Sequence, residues 1–227
     1  MLATILFLMI RRYRTQHPQK WQLIVGKALF IFKILLFILL GCTSTIAAVG
    51  QETNLTYSVI RNGSEIGAIV IKEIRKGTQV SYYLQSQIKV QFILSFTVKA
   101  IEETIYENDI LVSSLIYRKF NESEKVNKRI RIANNNYIIN NGKSEKWLNE
   151  FPIKYNMACV YTQEPISVSR IFSDNFQQFI PIKKTGAHQY KIVFPDGNAN
   201  EYLYQNGICI RIKMTTSLYN AEIVKKG

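Results

Sequence analysis

The sequence predicts an all-β protein with minor helix: an antiparallel meander of about ten strands that closes as a barrel, half-barrel or sandwich. Two observations carry that expectation. Apolar and polar residues alternate at period two through most of residues 51–227, the pattern of half-buried strands. The alternating runs are cut by Asn-Gly, Lys-Gly and Pro-Asp-Gly-Asn, turn formers that tolerate positive φ and join neighbouring antiparallel strands. No repeat, linker or low-complexity segment divides the stretch, so it reads as a single β domain, 51–227, behind a targeting segment, 1–50.

The elements follow in chain order. Leu55, Tyr57 and Val59 share one face of a first strand that ends at Asn62-Gly63. The return strand runs from Glu65 to Arg75 and turns at Lys76-Gly77, and a third spans Gln79 to Lys89. The next, Val90 to Tyr106, places Val90, Phe92, Leu94, Phe96 and Val98 on one side; Ile93 is apolar on the other side too, as in a central strand. Glu107-Asn108-Asp109 turns the chain into Ile110 to Phe120, followed by a strand near Lys125 to Ala133 and a turn at Asn140-Asn141-Gly142. One or two short helices are expected near residues 155–172: one at Tyr155 to Tyr161, ended by Glu164-Pro165, and a turn at Ser167 to Phe172. Hairpins then resume. His188 to Phe194, Asn200 to Gln205, Ile208 to Met214 and Ser217 to Val224 are strands, separated at Pro195-Asp196-Gly197-Asn198 and Asn206-Gly207.

The first fifty residues read as an export signal. Arg11, Arg12, Arg14, Lys20, Lys27 and Lys33 supply positive charge, no Asp or Glu precedes Glu52, and an apolar run ends at Leu39-Leu40-Gly41-Cys42. That order of charge, apolar core and small residues defines a secretory signal. Cleavage before Cys42 would make it the lipidated first residue of a lipoprotein tethered to the membrane; cleavage near Ala47, Ala48 or Gly50 would release a soluble chain. An uncleaved anchor is the third outcome, since Ala28 to Val49 is long enough to span a bilayer, which takes roughly 20 apolar residues. Under each outcome the mature part faces away from the cytoplasm, in the periplasm or envelope. Met1 to Ile10, apolar but ahead of the basic cluster, fits a start codon assigned too early, with Met9 as the alternative start.

The leader also carries charge that misleads. The full chain has 29 Lys and Arg against 16 Asp and Glu, but six of the basic residues lie before residue 50, leaving 23 against 16. The cluster Lys125 to Arg131 alternates Arg129 and Arg131 with Ile130 and Ile132, as a solvated strand face does. Export and this dilution argue against a nucleic-acid partner.

Chemistry is hard to find. The mature chain has a single histidine, His188, beside an expected turn, and no G-x-S-x-G elbow, H-E-x-x-H helix or phosphate-cradling glycine loop. Soft-metal ligation lacks a Cys/His cluster, and Asp196-Gly197-Asn198-Ala199-Asn200 lacks the order and closing Glu of a calcium loop. Glu102 and Glu103 are strand neighbours and point to opposite faces. No catalytic residue, cofactor or metal is expected, and the chain reads as a non-enzyme. Cys159 and Cys209 are disulfide candidates, since export permits a bridge and closing a loop of about 50 residues contributes roughly 4 kcal/mol. Against it, Cys159 sits in an apolar stretch, and Cys209 alternates with Ile208 and Ile210 and so shares a face with Arg211 and Lys213.

Two stretches carry a resemblance: Tyr57-Ser58-Val59-Ile60-Arg61-Asn62-Gly63-Ser64-Glu65-Ile66-Gly67, and the series from Glu164-Pro165 through Ile171-Phe172-Ser173 to Phe194-Pro195-Asp196-Gly197-Asn198 and Tyr202. Together they resemble a family of exported bacterial proteins, common in Bacteroidetes, known only as a domain of unknown function. The resemblance implies an antiparallel β architecture and no assigned activity, with Gly63, Gly67 and Gly197 at turns or close approaches. The expected role is an envelope protein that binds an apolar or amphipathic ligand, such as a lipid, in a curved sheet lined by Phe92, Leu94, Phe96, Ile208, Ile210 and Ile212. The alternative is a structural or assembly factor whose interior is filled by its own side chains.

Overall fold

The computed structural model describes residues 50–91, 95–217 and 219–227, together with Arg14, Gln16, Pro18, Lys27, Phe30 and Lys33. The chain divides into two compact units, Met1–Ala47 and Ala48–Gly227. The six described residues of the first unit are helical. Among the described residues no helix is long and apolar enough to cross a membrane. Cys42 lies outside the described residues.

The second unit is one antiparallel sheet of 14 strands. Eight run in series as β1 (Gln51–Arg61), β2 (Ser64–Lys76), β3 (Gln79–Gln91), β4 (Ser95–Glu107), β5 (Ile110–Phe120), β6 (Ser123–Ala133), β7 (Asn136–Asn140) and β8 (Glu145–Leu148). After an irregular segment come β9 (Arg170–Ser173), β10 (Gln178–Gly186), β11 (Gln189–Val193), β12 (Ala199–Gln205), β13 (Ile208–Thr215) and β14 (Asn220–Lys225). The two series join through β1 and β14, so the edges are β8 and β9, and the sheet does not close on itself.

Asparagine sets the hairpins. The two-residue turns Asn62-Gly63, Asn108-Asp109, Asn121-Glu122, Asn134-Asn135 and Asn206-Gly207 have both residues at positive φ, between 45° and 78°. That geometry matches the right-handed twist of the flanking strands. Gly67 has a different task. A Cβ there would lie 2.3 Å from the Gln87 carbonyl oxygen and 2.7 Å from Ile88 Cα, so β2 and β3 pack at a distance only glycine allows.

Bulges at Val59/Ile60, Ile105/Tyr106, Arg118/Lys119 and Leu203/Tyr204 bend the sheet. The concave side holds a continuous core that includes Tyr57, Ile71, Leu84, Leu111, Ile139, Ile192 and Ile212. The irregular segment 149–169, which links edge to edge, lies against this side as a strap. The Leu111 amide donates to Ile153 O (2.9 Å), Met157 to Phe172 O (3.2 Å) and Phe172 to Tyr155 O (3.0 Å), so the strap binds both the β5 region and the β9 edge.

The sequence-based expectation is corrected at four places. The strand count is fourteen, not about ten: β7 to β10 have short or weak alternation and pass unseen. No α-helix forms between 155 and 172; Cys159–Tyr161 is a single 3₁₀ turn, and the stretch read as a second helical turn contains β9. The run 90–106 is not one strand. Gln91 pairs with Ser95, so it is divided between β3 and β4, a hairpin without Gly, Asn or Pro to announce it. Ile208, Ile210 and Ile212 do not share one face. Leu203 pairs with Arg211 and Tyr204 with Cys209, which leaves Ile210 as the extra residue of a bulge. The bulge shifts the alternation by one, so Cys209 and Ile212 are buried while Arg211 and Lys213 are exposed.

Gly67→Ala is expected to lower the denaturant midpoint by the equivalent of about 2 kcal/mol or more, within the range of steric insertions into packed structure. A midpoint matching the parent protein would contradict the close approach.

Candidate functional site

The concave face has two parts with different chemistry. One is filled by the strap, and tyrosines hold it there. Tyr204 OH donates to Val160 O (2.8 Å), and Tyr155 OH donates to Gln163 O. Tyr137 OH accepts from the Ile153 amide (3.1 Å), and Tyr57 OH donates to Cys209 O (2.8 Å) and lies 3.5 Å from Tyr161 O. Burial raises the pKa of Tyr57, Tyr155 and Tyr204 above the usual phenol range, which keeps these hydroxyls protonated as donors. At the far end of the strap, Tyr190 OH donates to Glu164 Oε1 (2.8 Å), and His188 Nδ1 sits 3.1 Å from the same carboxylate. Burial opposes ionisation of Glu164, but these two partners hold its pKa below the usual range.

Beside the strap, β4, β5 and β6 present polar side chains inward. Arg118 Nη2 donates to Glu102 Oε1 (2.7 Å), Arg118 Nη1 is 3.4 Å from Asn175 Oδ1, and Lys128 Nζ donates to Asn175 O. Asn156 of the strap donates to Asp174 Oδ2 (2.9 Å). Asp174 is buried, and its Oδ1 has no hydrogen-bond partner of regular geometry. Burial pushes its pKa up to about 6, opposed by Ser114 and reinforced by the Glu102 charge. Lys128 is held below the usual lysine range by burial and by Arg118 and Lys146.

Beyond this polar band the hairpin ends of β3 to β6 turn apolar residues inward. The register puts Ile88 opposite Val98, Val98 opposite Phe120 and Arg118 opposite Val126. Phe96 stacks on Phe120 with ring centroids 4.9 Å apart. None of the five apolar residues is fully buried, and Phe120 is 37 % exposed. Exposed aromatic surface on the inner side of a sheet is unusual for a face that packs only on itself.

The structure brings together only part of the expected site. Phe96 lines the concave face, Phe92 and Leu94 lie outside the described residues, and Ile208 and Ile212 belong to the strap-filled part. Cys159 and Cys209 are separate free thiols. Cys159 Sγ lies 3.5 Å from Tyr106 OH and from Asn156 Oδ1, and Cys209 Sγ lies 3.5 Å from Arg211 O. Burial pushes them up to about 11 and about 12, values that disfavour a reactive thiolate. The polar band escaped sequence reading, although parity could have found it: Lys128 shares its strand face with buried Ile130, and Arg118 with Ile116. Among the described residues no cluster of three or more His, Cys, Asp or Glu can hold a metal ion. On the outer face a depression of about 170 Å³ includes Glu201, Arg211 and Lys213. Glu201 stands opposite both Lys191 and Lys213, so one carboxylate only partly offsets the basic residues there.

Residues 57–226 match the model of the family described as Domain of unknown function (DUF6134). The chain belongs to that family. The match spans both sheet halves and the strap, so this arrangement is the family domain. Among solved structures, the chain is similar to a β-barrel-like protein of the domain of unknown function DUF1849 from Brucella abortus. The TM-score is 0.54 at 12 % identity, over 80 % of this chain and 98 % of that one. The likeness concerns the fold alone. No curated protein matches the sequence.

Asp174 gives the band a pH signature. Its folded-state pKa is raised above the unfolded value of 3.8, so folding favours the protonated acid. The destabilisation is full above pH 6 and disappears as pH falls from about 6 to about 4. Asp174→Asn is expected to stabilise the protein at pH 8 by on the order of 2–3 kcal/mol. Thermal unfolding at pH 4 should show the advantage nearly gone; a difference independent of pH would contradict the buried carboxylate.

Proposed function

We propose that this protein is a non-catalytic, exported envelope protein that holds an apolar or amphipathic ligand against the open part of its concave face. The observation that carries the reading is the half-exposed apolar wall of Ile88, Phe96, Val98, Phe120 and Val126 beside a charged band. Fully burying an exposed side chain of this size contributes about 1.5–3 kcal/mol. These residues are at most about a third exposed, so covering each adds about 0.5–1 kcal/mol, and a ligand laid along all five gains a few kcal/mol towards the cost of its own immobilisation. The non-catalytic part of the reading rests on the lack of a catalytic motif in the sequence and on the burial of the described thiols, Cys159 and Cys209, away from solvent. Export and a membrane tether through Cys42 rest on the leader's sequence.

The strap favours a second reading. It fills the other part of the concavity with the chain's own residues, as a structural or assembly factor without ligand would. One measurement separates the two. Native mass spectrometry of the protein purified from its host's membrane fraction should show a chain beginning at a lipid-modified Cys42, with a non-covalent amphiphile that Phe120→Asp removes. An unmodified chain beginning near Gln51 would sink the tether. A well-folded protein without any amphiphile would leave the structural reading standing.

A further inference from the structure

We infer that the ligand of the concave face is a single-chain amphiphile with an anionic head, and that Arg118 and Lys128 form its head-group subsite. The inference rests on the ligand-binding reading above and adds the chemical class. Arg118 stands opposite Val126 and Lys128 opposite Ile116, so the two cations are diagonal neighbours on one face. Such neighbours lie roughly 7–8 Å apart, within reach of long side chains, and a carboxylate or phosphate can bridge them.

The local charges favour an anion. Arg118 and Lys146 both lie close enough to repel the charge on Lys128, while the ion-paired carboxylate of the band is Glu102. Asp174 is sequestered with Asn156. Glu102 occupies Arg118 Nη2, but among the described residues Nη1 makes only the long contact to Asn175, and the side chain remains 33 % exposed. A guanidinium with donors to spare, beside an ammonium whose charge is disfavoured by its surroundings, gains from a charge-assisted hydrogen bond to an oxyanion. The apolar wall begins at the same place. Ala100 stands opposite Arg118, and the inward residues continue through Val98 to Phe96. That distance is roughly 14 Å at ~3.4 Å per residue, room for a medium-length acyl chain running from the cations towards the hairpin ends.

The test is calorimetric titration of the full-length protein, below micelle formation, with dodecanoate, dodecyl maltoside, dodecyltrimethylammonium and acetate. Dodecanoate is expected to bind at least about tenfold more tightly than the neutral and cationic amphiphiles, one charge-assisted contact being worth about that factor, with acetate showing no binding. Arg118→Gln and Lys128→Gln should each weaken dodecanoate about tenfold and leave dodecyl maltoside unchanged, with Arg118→Lys intermediate. Equal affinity for the three amphiphiles, or a preference for dodecanoate that survives both glutamine variants, would overturn the subsite while leaving amphiphile binding intact. Acetate binding as well as dodecanoate would overturn the amphiphile in favour of a small-anion site. Absence of binding by every amphiphile would defeat the ligand reading itself, and this inference with it. The leader is common to all variants, so its own affinity for amphiphiles cancels between them, and Lys128→Gln and Arg118→Lys decide if Arg118→Gln does not fold.

Discussion

The structure depends on placing an irregular segment against the inside of a sheet without stranding its backbone. A buried amide or carbonyl without a partner costs about 1–3 kcal/mol, and beyond the single 3₁₀ turn at Cys159–Tyr161 the strap has no long helix or regular ladder to satisfy its own. Tyrosines solve the problem from several strands and from the strap itself. Each contributes a large apolar ring to the core and a hydroxyl at its tip, and Tyr57, Tyr137, Tyr155 and Tyr204 deliver those hydroxyls to main-chain groups of residues 153–163 or of β13 beside them. Rings also pack edge to face, as in Tyr57–Tyr161 at 5.5 Å and Tyr190–Tyr204 at 5.6 Å. The same residues fill the interior and hold the strap that crosses it.

The strap accounts for a curved β domain whose sheet does not close. Its ends are the two edges, β8 and β9, and its middle adds a parallel bridge at Asn156 and Phe172. The β9 edge therefore does not offer a free ladder at that point, a common protection against edge-to-edge association. Because the strap occupies only part of the concavity, the longer hairpins β3 to β6 keep half-exposed inner residues. In that sense the sheet's uneven strand lengths divide a packed interior from an accessible one.

Much of this was legible in the sequence. The Asn-Gly turns and the alternation of Leu55, Tyr57 and Val59 specify hairpins and the face they bury. The resemblance in residues 57–67 and 164–202 led to the family that the domain-wide match establishes. What was not legible has physical causes. Asn134-Asn135 adopts the same turn as Asn-Gly without a glycine to mark it. A bulge costs the sequence one residue and reverses every face assignment after it, which is why Cys209 is buried and Arg211 exposed. The partner of the Tyr204 hydroxyl lies 44 residues away, and no local pattern records it. The band of Arg118, Glu102 and Lys128 is hidden for a similar reason: each residue looks like ordinary strand polarity until neighbouring strands bring them together.

Amide hydrogen exchange of the full-length protein, with and without the paired substitutions Tyr57→Phe and Tyr204→Phe, tests the central claim most directly. If tyrosine hydroxyls secure the strap, Met157 and Cys159 exchange as slowly as core strands β11 to β13 in the parent protein. They should then lose that protection selectively in the double variant, while β2 to β5 stay protected. Strap amides that exchange in the parent protein as fast as the Asn206-Gly207 turn would contradict it.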